Sequence, residues 1–327
     1  MKLNILVNIL RFKNNIFKLL SKNRTFYEIF VLNARRKNHD KLRQNELDTV
    51  LKALIKQEPF PLPTAIEIET LNRCNGDCDF CPVNKHLDKR EYKVMDDSLF
   101  NSVISQLKEL NYNGYISAYS NNEPLLDKRI FKFVEHIKKE LPNAKNFLFT
   151  NGLLLTLEKF QELISHLDYM VIDNYYEGEK HLAPKIKEIA NYCLQYPELR
   201  KKVKIQVIDK HMLRNNRAGN AKNRRHTYHI KSSCLWPFSQ MVIRPDGKIS
   251  LCCNDALGQM TMGDLTQEKL IDIWRGEKYV ELRNDLLKSR KNVKLCYNCD
   301  SFGLEKRDNV LKMYNIGNNW NEIEKLI

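Results

Sequence analysis

The chain has 327 residues, of which 43% are hydrophobic and 29% are charged, and its formal net charge is +14. This length predicts one large domain or two smaller ones, and the composition is that of a folded globular protein rather than a disordered chain. The positive charge is concentrated, because residues 1–45 contain eleven Lys and Arg against two Asp and Glu. No segment has the roughly 20 apolar residues that span a bilayer, and no secretory signal is visible, so we expect a cytoplasmic protein.

The N-terminal segment has the pattern of an amphipathic helix. Apolar residues recur at three- and four-residue steps between Leu3 and Leu20, with lysines between them. Such a helix either docks on protein or lies on an anionic membrane surface, so residues 1–22 are a candidate for partner or peripheral membrane contact. A second helix is predicted over Asn45–Lys56, and three prolines between positions 59 and 63 end it. We predict that residues 1–60 form a basic helical extension.

Residues 61–230 alternate strand-like and helix-like segments, which is typical of βα units around a parallel sheet. Strands are predicted at Ala65–Glu69, Gly114–Tyr119, Asn146–Thr150, Tyr169–Asp173 and Lys204–Asp209. Helices are predicted at Met95–Leu110, Lys128–Leu141, Leu157–Leu167 and Pro184–Cys193. The fold class is therefore α/β, either a partial (β/α)6 barrel similar to a TIM barrel or a doubly wound sheet. In both, ligands bind at the C-terminal ends of the strands.

The pattern changes after the fifth strand. A polar, basic connector occupies residues 214–225 and supplies either phosphate-binding groups or a solvated linker. A hairpin is then predicted from Gln240–Arg244 and Lys248–Cys252, because Pro-Asp-Gly lies between them, and one helix from Thr266–Ser289 follows. We predict a small second domain over residues 231–327.

Three cysteines lie in one short loop directly after the first predicted strand, at Cys74, Cys78 and Cys81. Thiolates are soft ligands that suit iron–sulfur centres, and three of them leave one iron of a cubane open. A structural zinc site needs four ligands, and only His86 is near enough in sequence to be considered. The loop therefore predicts an iron–sulfur cluster ahead of a zinc site or of ordinary buried thiols.

A second set of cysteines lies near the C-terminal end of the chain. It consists of Cys234, the adjacent pair Cys252 and Cys253, and the pair Cys296 and Cys299. Four thiolates can close either a structural zinc site or an iron–sulfur cluster, and the residues alone favour neither. The ninth cysteine, at position 193, falls in a predicted helix and is interpreted as an ordinary buried thiol.

The first loop resembles the signature of the radical SAM enzymes, because its cysteine spacing is Cys74-x3-Cys78-x-Phe80-Cys81. The resemblance implies a [4Fe–4S] cluster whose open iron binds S-adenosylmethionine, with Phe80 among the cofactor-binding residues. It also implies reductive cleavage of that cofactor to a 5′-deoxyadenosyl radical, which abstracts hydrogen from a substrate. Such chemistry needs a site closed to water and an electron donor such as flavodoxin or ferredoxin.

Two later motifs strengthen the resemblance. The segment Ser-Asn-Asn-Glu-Pro, which contains Asn122, Glu123 and Pro124, is similar to the family's Gly-Gly-Glu-Pro, which holds the methionine amino group. Asparagines replace both glycines. Thr150 and Asn151, which Gly152 follows, resemble the family's Thr-Asn-Gly near the adenosine or the substrate.

The second cysteine set resembles the SPASM auxiliary-cluster domain in its shortened form, called Twitch. The Gly-x4-Cys spacing then identifies Cys252, with Cys234, Cys296 and Cys299, as the ligands of one auxiliary [4Fe–4S] cluster. Relatives of this architecture carry out two-electron oxidations, so the resemblance implies an oxidoreductase or maturase acting on a small polar, sugar-like molecule or on a peptide. Asp173, at the end of the fourth strand, is the candidate catalytic residue, and Arg217 is a candidate cofactor or substrate contact.

Two alternatives compete with this interpretation. One is a non-catalytic iron–sulfur or zinc protein that binds nucleic acid, which the net charge of +14 suggests. The other is a radical SAM enzyme that acts on RNA. The first is not favoured, because the basic residues are concentrated in the extension and lack the interleaved aromatic residues that stack on single strands. The second is not favoured, because the sequence offers no known RNA-binding module to support it.

Overall fold

The computed structural model describes residues 33–221, 229–303 and 320–327. Its strands are β1 (Ala65–Ile68), β2 (Tyr115–Ser117), β3 (Lys145–Thr150), β4 (Tyr169–Tyr176), β5 (Val203–Asp209), β6 (Gln240–Ile243), β7 (Lys248–Ser250) and β8 (Thr261–Asp264). Its longer helices are α1 (Asn33–Leu54), α2 (Asp97–Glu109), α3 (Ile130–Glu140), α4 (Leu157–His166) and α5 (Pro184–Gln195). The shorter ones are α6 (Pro197–Lys202), α7 (Trp236–Ser239), α8 (Leu270–Arg275), α9 (Glu277–Lys288), α10 (Lys294–Tyr297) and α11 (Trp320–Glu324).

The eight strands form one sheet in the order β5-β4-β3-β2-β1-β6-β7-β8. Strands β1 to β6 are parallel to one another, whereas β7 is antiparallel to both β6 and β8. Helices α2 to α5 are amphipathic, and their buried faces, such as Phe100 and Val103 of α2, join the core that contains Ile66 and Ile68 of β1. The predicted α/β class and its five βα strands are confirmed, with bounds that differ by a few residues at most.

The sixth parallel strand comes from the predicted hairpin. Strand β6 pairs with β1, from Ala65 opposite Gln240 to Ile68 opposite Ile243, and does not lie beside β5. All four of its residues are buried, which suits a strand with neighbours on both sides and apolar side chains on both faces. One sheet therefore crosses the boundary predicted near residue 231.

The predicted helix over Thr266–Ser289 is wrong, because the structure has two helices, α8 and α9, that meet at Gly276. Gly276 has an extended backbone with ψ of 164°, and a Cβ there would lie 2.5 Å from the carbonyl oxygen of Asp272. The sharp turn between the helices thus requires a residue without a side chain.

Residues 59–64, which contain three prolines and precede β1, have no regular structure and pack against helix α8. The indole nitrogen of Trp274 donates to the Pro61 carbonyl at 2.8 Å, and Arg275 Nε donates to the Phe60 carbonyl at 2.8 Å. Helix α1 starts earlier than the helix predicted at Asn45. The amphipathic segment from Leu3 to Leu20 lies outside the described residues. None of the described helices combines the length and apolar character needed to cross a membrane.

Candidate active site

The loop that follows β1 is folded tightly around its cysteines. Cys78 is buried, and its carbonyl accepts hydrogen bonds from Cys81 N–H at 3.1 Å and from the side-chain amide of Asn84 at 3.0 Å. The N–H of Gly76 points at the Cys74 sulfur, 3.3 Å away. The backbone and Asn84 therefore fix the loop without using a thiol of Cys78 or Cys81 as a hydrogen-bond partner.

The thiols of Cys74 and Cys78 are shielded from water, so their ionised forms need a nearby cation to be stable. Burial raises the pKa of Cys74 to about 12 and raises the pKa of Cys78 further. A thiolate is stable in such a place when it binds a metal centre, since metal binding removes the proton. The donor set therefore fits an iron–sulfur cluster.

The loops after β2 and β3 are joined by Glu123. Its carboxylate accepts from Thr150 Oγ1 at 2.7 Å and from the Asn151 N–H at 2.7 Å, and its own N–H donates to the Arg73 carbonyl at 2.9 Å. Burial raises the pKa of Glu123 to about 7. The side-chain amide of Asn151 in turn donates to Asn75 in the cysteine loop at 2.7 Å. Three of the predicted motifs thus form one hydrogen-bonded unit at the C-terminal ends of β1, β2 and β3.

The asparagines that replace glycine adopt ordinary backbone angles. Asn121 and Asn122 are absent from the residues with positive φ, which are Asn111, Arg217, Ala218 and six glycines in the described chain. Asn122 Oδ1 accepts from the Ser120 N–H at 3.0 Å, and its buried amide nitrogen has no hydrogen-bond partner among the described residues. This nitrogen is a donor available to a bound ligand at the cavity wall.

A cavity of about 580 Å³ opens above these loops. Asp173 of β4 lies in its wall, where Tyr175 OH donates to Asp173 Oδ2 at 3.3 Å; Oδ1 is buried and has no hydrogen-bond partner in the part of the chain that the structure describes. Burial raises the pKa of Asp173 to about 6, although Arg214 and Lys204 oppose the rise. Phe80 closes the cavity beside the cysteine loop and packs against Tyr175, with ring centroids 5.9 Å apart.

Arg217 enters the same cavity from the connector. It has a left-handed backbone, with φ of 49°, and its guanidinium donates to the side-chain oxygen of Asn121; Nε is buried and has no partner within residues 33–221, 229–303 and 320–327. Burial disfavours the charged form, but the thiols of Cys81 and Cys253 raise the pKa of Arg217 overall. The cation therefore lies between the two cysteine sets. The connector residues 222–228 are outside the described chain.

Four cysteines of the second set, Cys234, Cys252, Cys296 and Cys299, are buried behind the cavity wall, and Cys253 lines the cavity. Burial raises the pKa of the Cys299 thiol to about 11. The charge of Arg290 opposes this rise, and the nearby thiol of Cys234 adds to it. Burial likewise raises the pKa values of Cys252 and Cys296, and the charges of the other thiols add to the rise. Neighbouring thiols thus raise the pKa values of Cys252, Cys296 and Cys299, and these three buried thiols together with buried Cys234 fit a centre that binds them as thiolates.

The two adjacent cysteines have different surroundings. The pKa of Cys252 is raised by burial and then by Cys253, Cys234, Cys296 and Cys299. Cys253 instead lines the cavity, and its N–H donates to Gln240 Oε1 at 3.0 Å.

The described residues contain no group of three His, Cys, Asp or Glu side chains that converge on one metal ion. Each thiolate of a cubane binds a different iron, so cluster ligands do not have to converge in this way. His86, the only nearby candidate for a zinc site in the first loop, is exposed. Cys193 is buried in the core, as predicted.

Sequence reasoning missed Glu67, which lies in the buried strand β1. Its carboxylate accepts from Ser120 Oγ at 2.6 Å and from Gln240 Nε2 at 2.7 Å, and burial raises its pKa to about 7. Gln240 is in β6, so this carboxylate joins the βα strands to the hairpin below the cavity. A lone Glu between Ile66 and Ile68 was the available signal, because charged residues are rare in buried parallel strands.

Comparison with known proteins identifies the class. Residues 68–190 match the model of the radical SAM superfamily, and residues 234–300 match the SPASM iron–sulfur cluster-binding domain. The chain belongs to the radical SAM superfamily and carries an auxiliary-cluster domain. It is a radical SAM enzyme whose cofactors are S-adenosylmethionine and [4Fe–4S] clusters, including an auxiliary one, and the nucleic-acid-binding alternative is not favoured.

One curated relative is the S-adenosyl-L-methionine-dependent 2-deoxy-scyllo-inosamine dehydrogenase of Niallia circulans, which is 28% identical over 247 residues, 74% of this chain and 95% of the relative. The crystal structure of BtrN in complex with AdoMet and 2-DOIA is 27% identical with a TM-score of 0.66, covering 76% of this chain and 97% of that one. An open conformation of selenomethionine BtrN is 25% identical with a TM-score of 0.55, covering 74% and 94%. These structures confirm the partial barrel.

Proposed function

We propose that this enzyme oxidises an alcohol carbon of a small polar, sugar-like molecule to a ketone. The observation that carries the proposal is one cavity of about 580 Å³ whose wall includes Cys74, Cys78 and Cys81 of the first set together with Cys253 of the second. S-adenosylmethionine and the substrate share this volume, which leaves room for a small molecule. Similarity to a dehydrogenase of 2-deoxy-scyllo-inosamine supports a sugar-like substrate over a peptide.

In this proposal, Cys74, Cys78 and Cys81 hold the cluster that binds S-adenosylmethionine, and Cys234, Cys252, Cys296 and Cys299 hold the auxiliary cluster. The different surroundings of Cys252 and Cys253 support Cys252 as the ligand. When bound, the cofactors supply a 5′-deoxyadenosyl radical that takes a hydrogen atom and an acceptor for one electron. The part of the wall assigned to S-adenosylmethionine contains Phe80, Asn122, Glu123, Thr150 and Asn151. Pro124, the remaining residue assigned to this cofactor, is buried directly after Glu123 in a short 3-10 helix.

The remaining wall residues act on the substrate. Oxidation of an alcohol to a ketone removes one hydrogen atom from carbon, one electron, and one proton from oxygen. Asp173 accepts the proton, because its Oδ1 has no hydrogen-bond partner among the described residues and its pKa of about 6 leaves it ionised but basic at neutral pH. Arg217, held by Asn121, donates hydrogen bonds to substrate oxygens.

Two partners complete the proposal. The enzyme receives electrons from a small redox protein such as flavodoxin or ferredoxin. Residues 1–22, whose pattern is apolar and basic, contact an anionic membrane surface or a protein partner. Deletion of residues 1–32 tests the second idea, because loss of sedimentation with anionic vesicles is expected and unchanged sedimentation contradicts membrane contact.

The function is tested with anaerobically reconstituted enzyme, reductant and S-adenosylmethionine. Candidate substrates are 2-deoxy-scyllo-inosamine, a phosphorylated sugar and a short peptide, and the products are quantified by mass spectrometry. We expect 5′-deoxyadenosine and a ketone in equal amounts with the aminocyclitol or a related sugar. The variant with Cys74, Cys78 and Cys81 replaced by Ala serves as the control and should lose about half of the iron and form neither product. Turnover of the peptide alone would refute the sugar-like substrate.

A further inference from the structure

The segment before Cys234 is held by the helical extension, which lies outside both matched domains. Asp40 of α1 is buried, with 1% of its surface exposed. Its two carboxylate oxygens accept from the N–H groups of Lys231 and Ser232, at 2.7 and 2.8 Å. Hydrogen bonds from backbone N–H groups to a carboxylate are strong, and these two fix consecutive residues of one loop.

Two further contacts hold the same loop. The Ser233 hydroxyl donates to Asp48 of α1 at 2.9 Å, so each residue from 231 to 233 is attached to the extension. On the other side, buried Arg290 donates to the carbonyls of Ser232 at 2.7 Å and Ser301 at 2.8 Å. Arg290 therefore joins the loop before Cys234 to the segment just after Cys299.

Helix α1 is itself anchored firmly enough to act as a support. Leu47, Leu51 and Leu54 are buried in the main core, and Leu51 has no exposed surface. A side chain that orients a metal-binding segment needs such a rigid base, because any freedom in the support is transmitted to the ligand.

We propose that Asp40 is a positioning residue for the auxiliary-cluster site, which fixes the backbone of residues 231 and 232 so that Cys234 presents its thiolate in register with the other three. This inference rests on the proposed assignment of Cys234 as a ligand. The extension is thereby part of the cluster site, although it lies outside the matched SPASM residues.

The test measures the auxiliary cluster alone. In the background with Cys74, Cys78 and Cys81 replaced by Ala, Asp40→Ala is compared with the parent during a challenge with an iron chelator, followed by visible absorbance and by EPR of the reduced cluster. Loss of an outer-shell partner typically costs 10- to 100-fold in metal affinity, so we expect iron release at least about tenfold faster and an altered EPR signal. Lys41→Ala, which changes the adjacent exposed residue of the same helix, should release iron at the parental rate.

A second variant background distinguishes a specific effect on the auxiliary cluster from a general loss of stability. In it, Cys234, Cys252, Cys296 and Cys299 are replaced by Ala, and only the first cluster remains. Asp40→Ala should leave iron release there unchanged. Equal acceleration in both backgrounds, or no acceleration in either, overturns the proposal. If Asp40→Ala does not fold, Asp40→Asn keeps one acceptor oxygen for only one of the two N–H groups and should accelerate auxiliary release about threefold, and an unchanged rate then overturns the proposal.

A separate variant, Cys234→Ala, tests the ligand assignment that belongs to the proposed function. Cys234→Ala that retains all of the auxiliary iron contradicts the ligand assignment, whatever Asp40 does. Loss of iron in Cys234→Ala with an unchanged Asp40→Ala contradicts the positioning role alone.

Discussion

Glu67 makes the stability of the cluster-free protein depend on pH. Burial raises its pKa from 4.5 to about 7 in the folded chain, which corresponds to about 3 kcal/mol at about 1.4 kcal/mol per pH unit. Below pH 4.5 the group is protonated in both states and carries no penalty. As the pH rises through this window, the unfolded chain loses its proton first, so the folded state is progressively disfavoured and the loss is complete above pH 7.

Glu67→Gln removes this titration while keeping the shape. The new amide oxygen accepts from Gln240, and its NH2 group donates to the Ser120 hydroxyl oxygen, so both contacts have a partner. We expect the free energy of unfolding of the variant, relative to wild type, to increase by about 2–3 kcal/mol between pH 5 and pH 8. The comparison cancels the contributions of Glu123 and Asp173, which titrate in both proteins.

The assay is urea unfolding of the cluster-free, reduced chain at a series of pH values. Glu58→Gln, which changes an exposed carboxylate, is the matched control and should follow the wild-type profile. Parallel profiles for wild type and Glu67→Gln would refute the reasoning, because they would mean that the carboxylate is solvated or paired at neutral pH.

Three other changes test the site. Gly152→Ala should destabilise the fold by about 1–3 kcal/mol in urea unfolding, because φ is 72° and a Cβ would lie 2.6 Å from Ile186 Cδ1; unchanged stability contradicts this. Asp173→Asn should lower kcat about 100-fold or more and abolish the rise in wild-type rate with pH through about 6, whereas a retained pH profile would exclude Asp173 as the proton acceptor. Cys252→Ala should lose about half of the iron and Cys253→Ala none, and the reverse result would exchange their roles.

Local sequence patterns predicted most of the α/β part. The strands that became β1 to β5 were recognisable because apolar runs alternate with amphipathic helices, but their order in the sheet comes from the structure. The pairing of β6 with β1 was not predictable, since residues about 170 positions apart meet through packing that leaves no local signal. The single helix predicted across Gly276 failed for a related reason: the close approach to the Asp272 carbonyl exists only in the folded turn.

In the candidate site, too, local motifs predicted some residues, and tertiary contacts reveal the others. Short motifs identified Glu123, Thr150 and Asn151, but only the structure reveals that the Glu123 carboxylate joins the other two. Glu67 has partners on β6 and on the loop after β2, so its place in the site depends on tertiary contacts that one strand does not encode. The role inferred for Asp40 is the extreme case, because its contacts lie about 190 residues away.

The central claim is that this enzyme takes a hydrogen atom from an alcohol carbon. The direct measurement uses 2-deoxy-scyllo-inosamine deuterated at the carbon to be oxidised, with reduced enzyme and S-adenosylmethionine, and mass spectrometry of the 5′-deoxyadenosine formed. The proposal predicts one deuterium per 5′-deoxyadenosine and one ketone per deuterium transferred. Deuterium-free 5′-deoxyadenosine without ketone would contradict the alcohol-oxidation claim, and failure of reduced wild type to form any 5′-deoxyadenosine would contradict the radical chemistry itself.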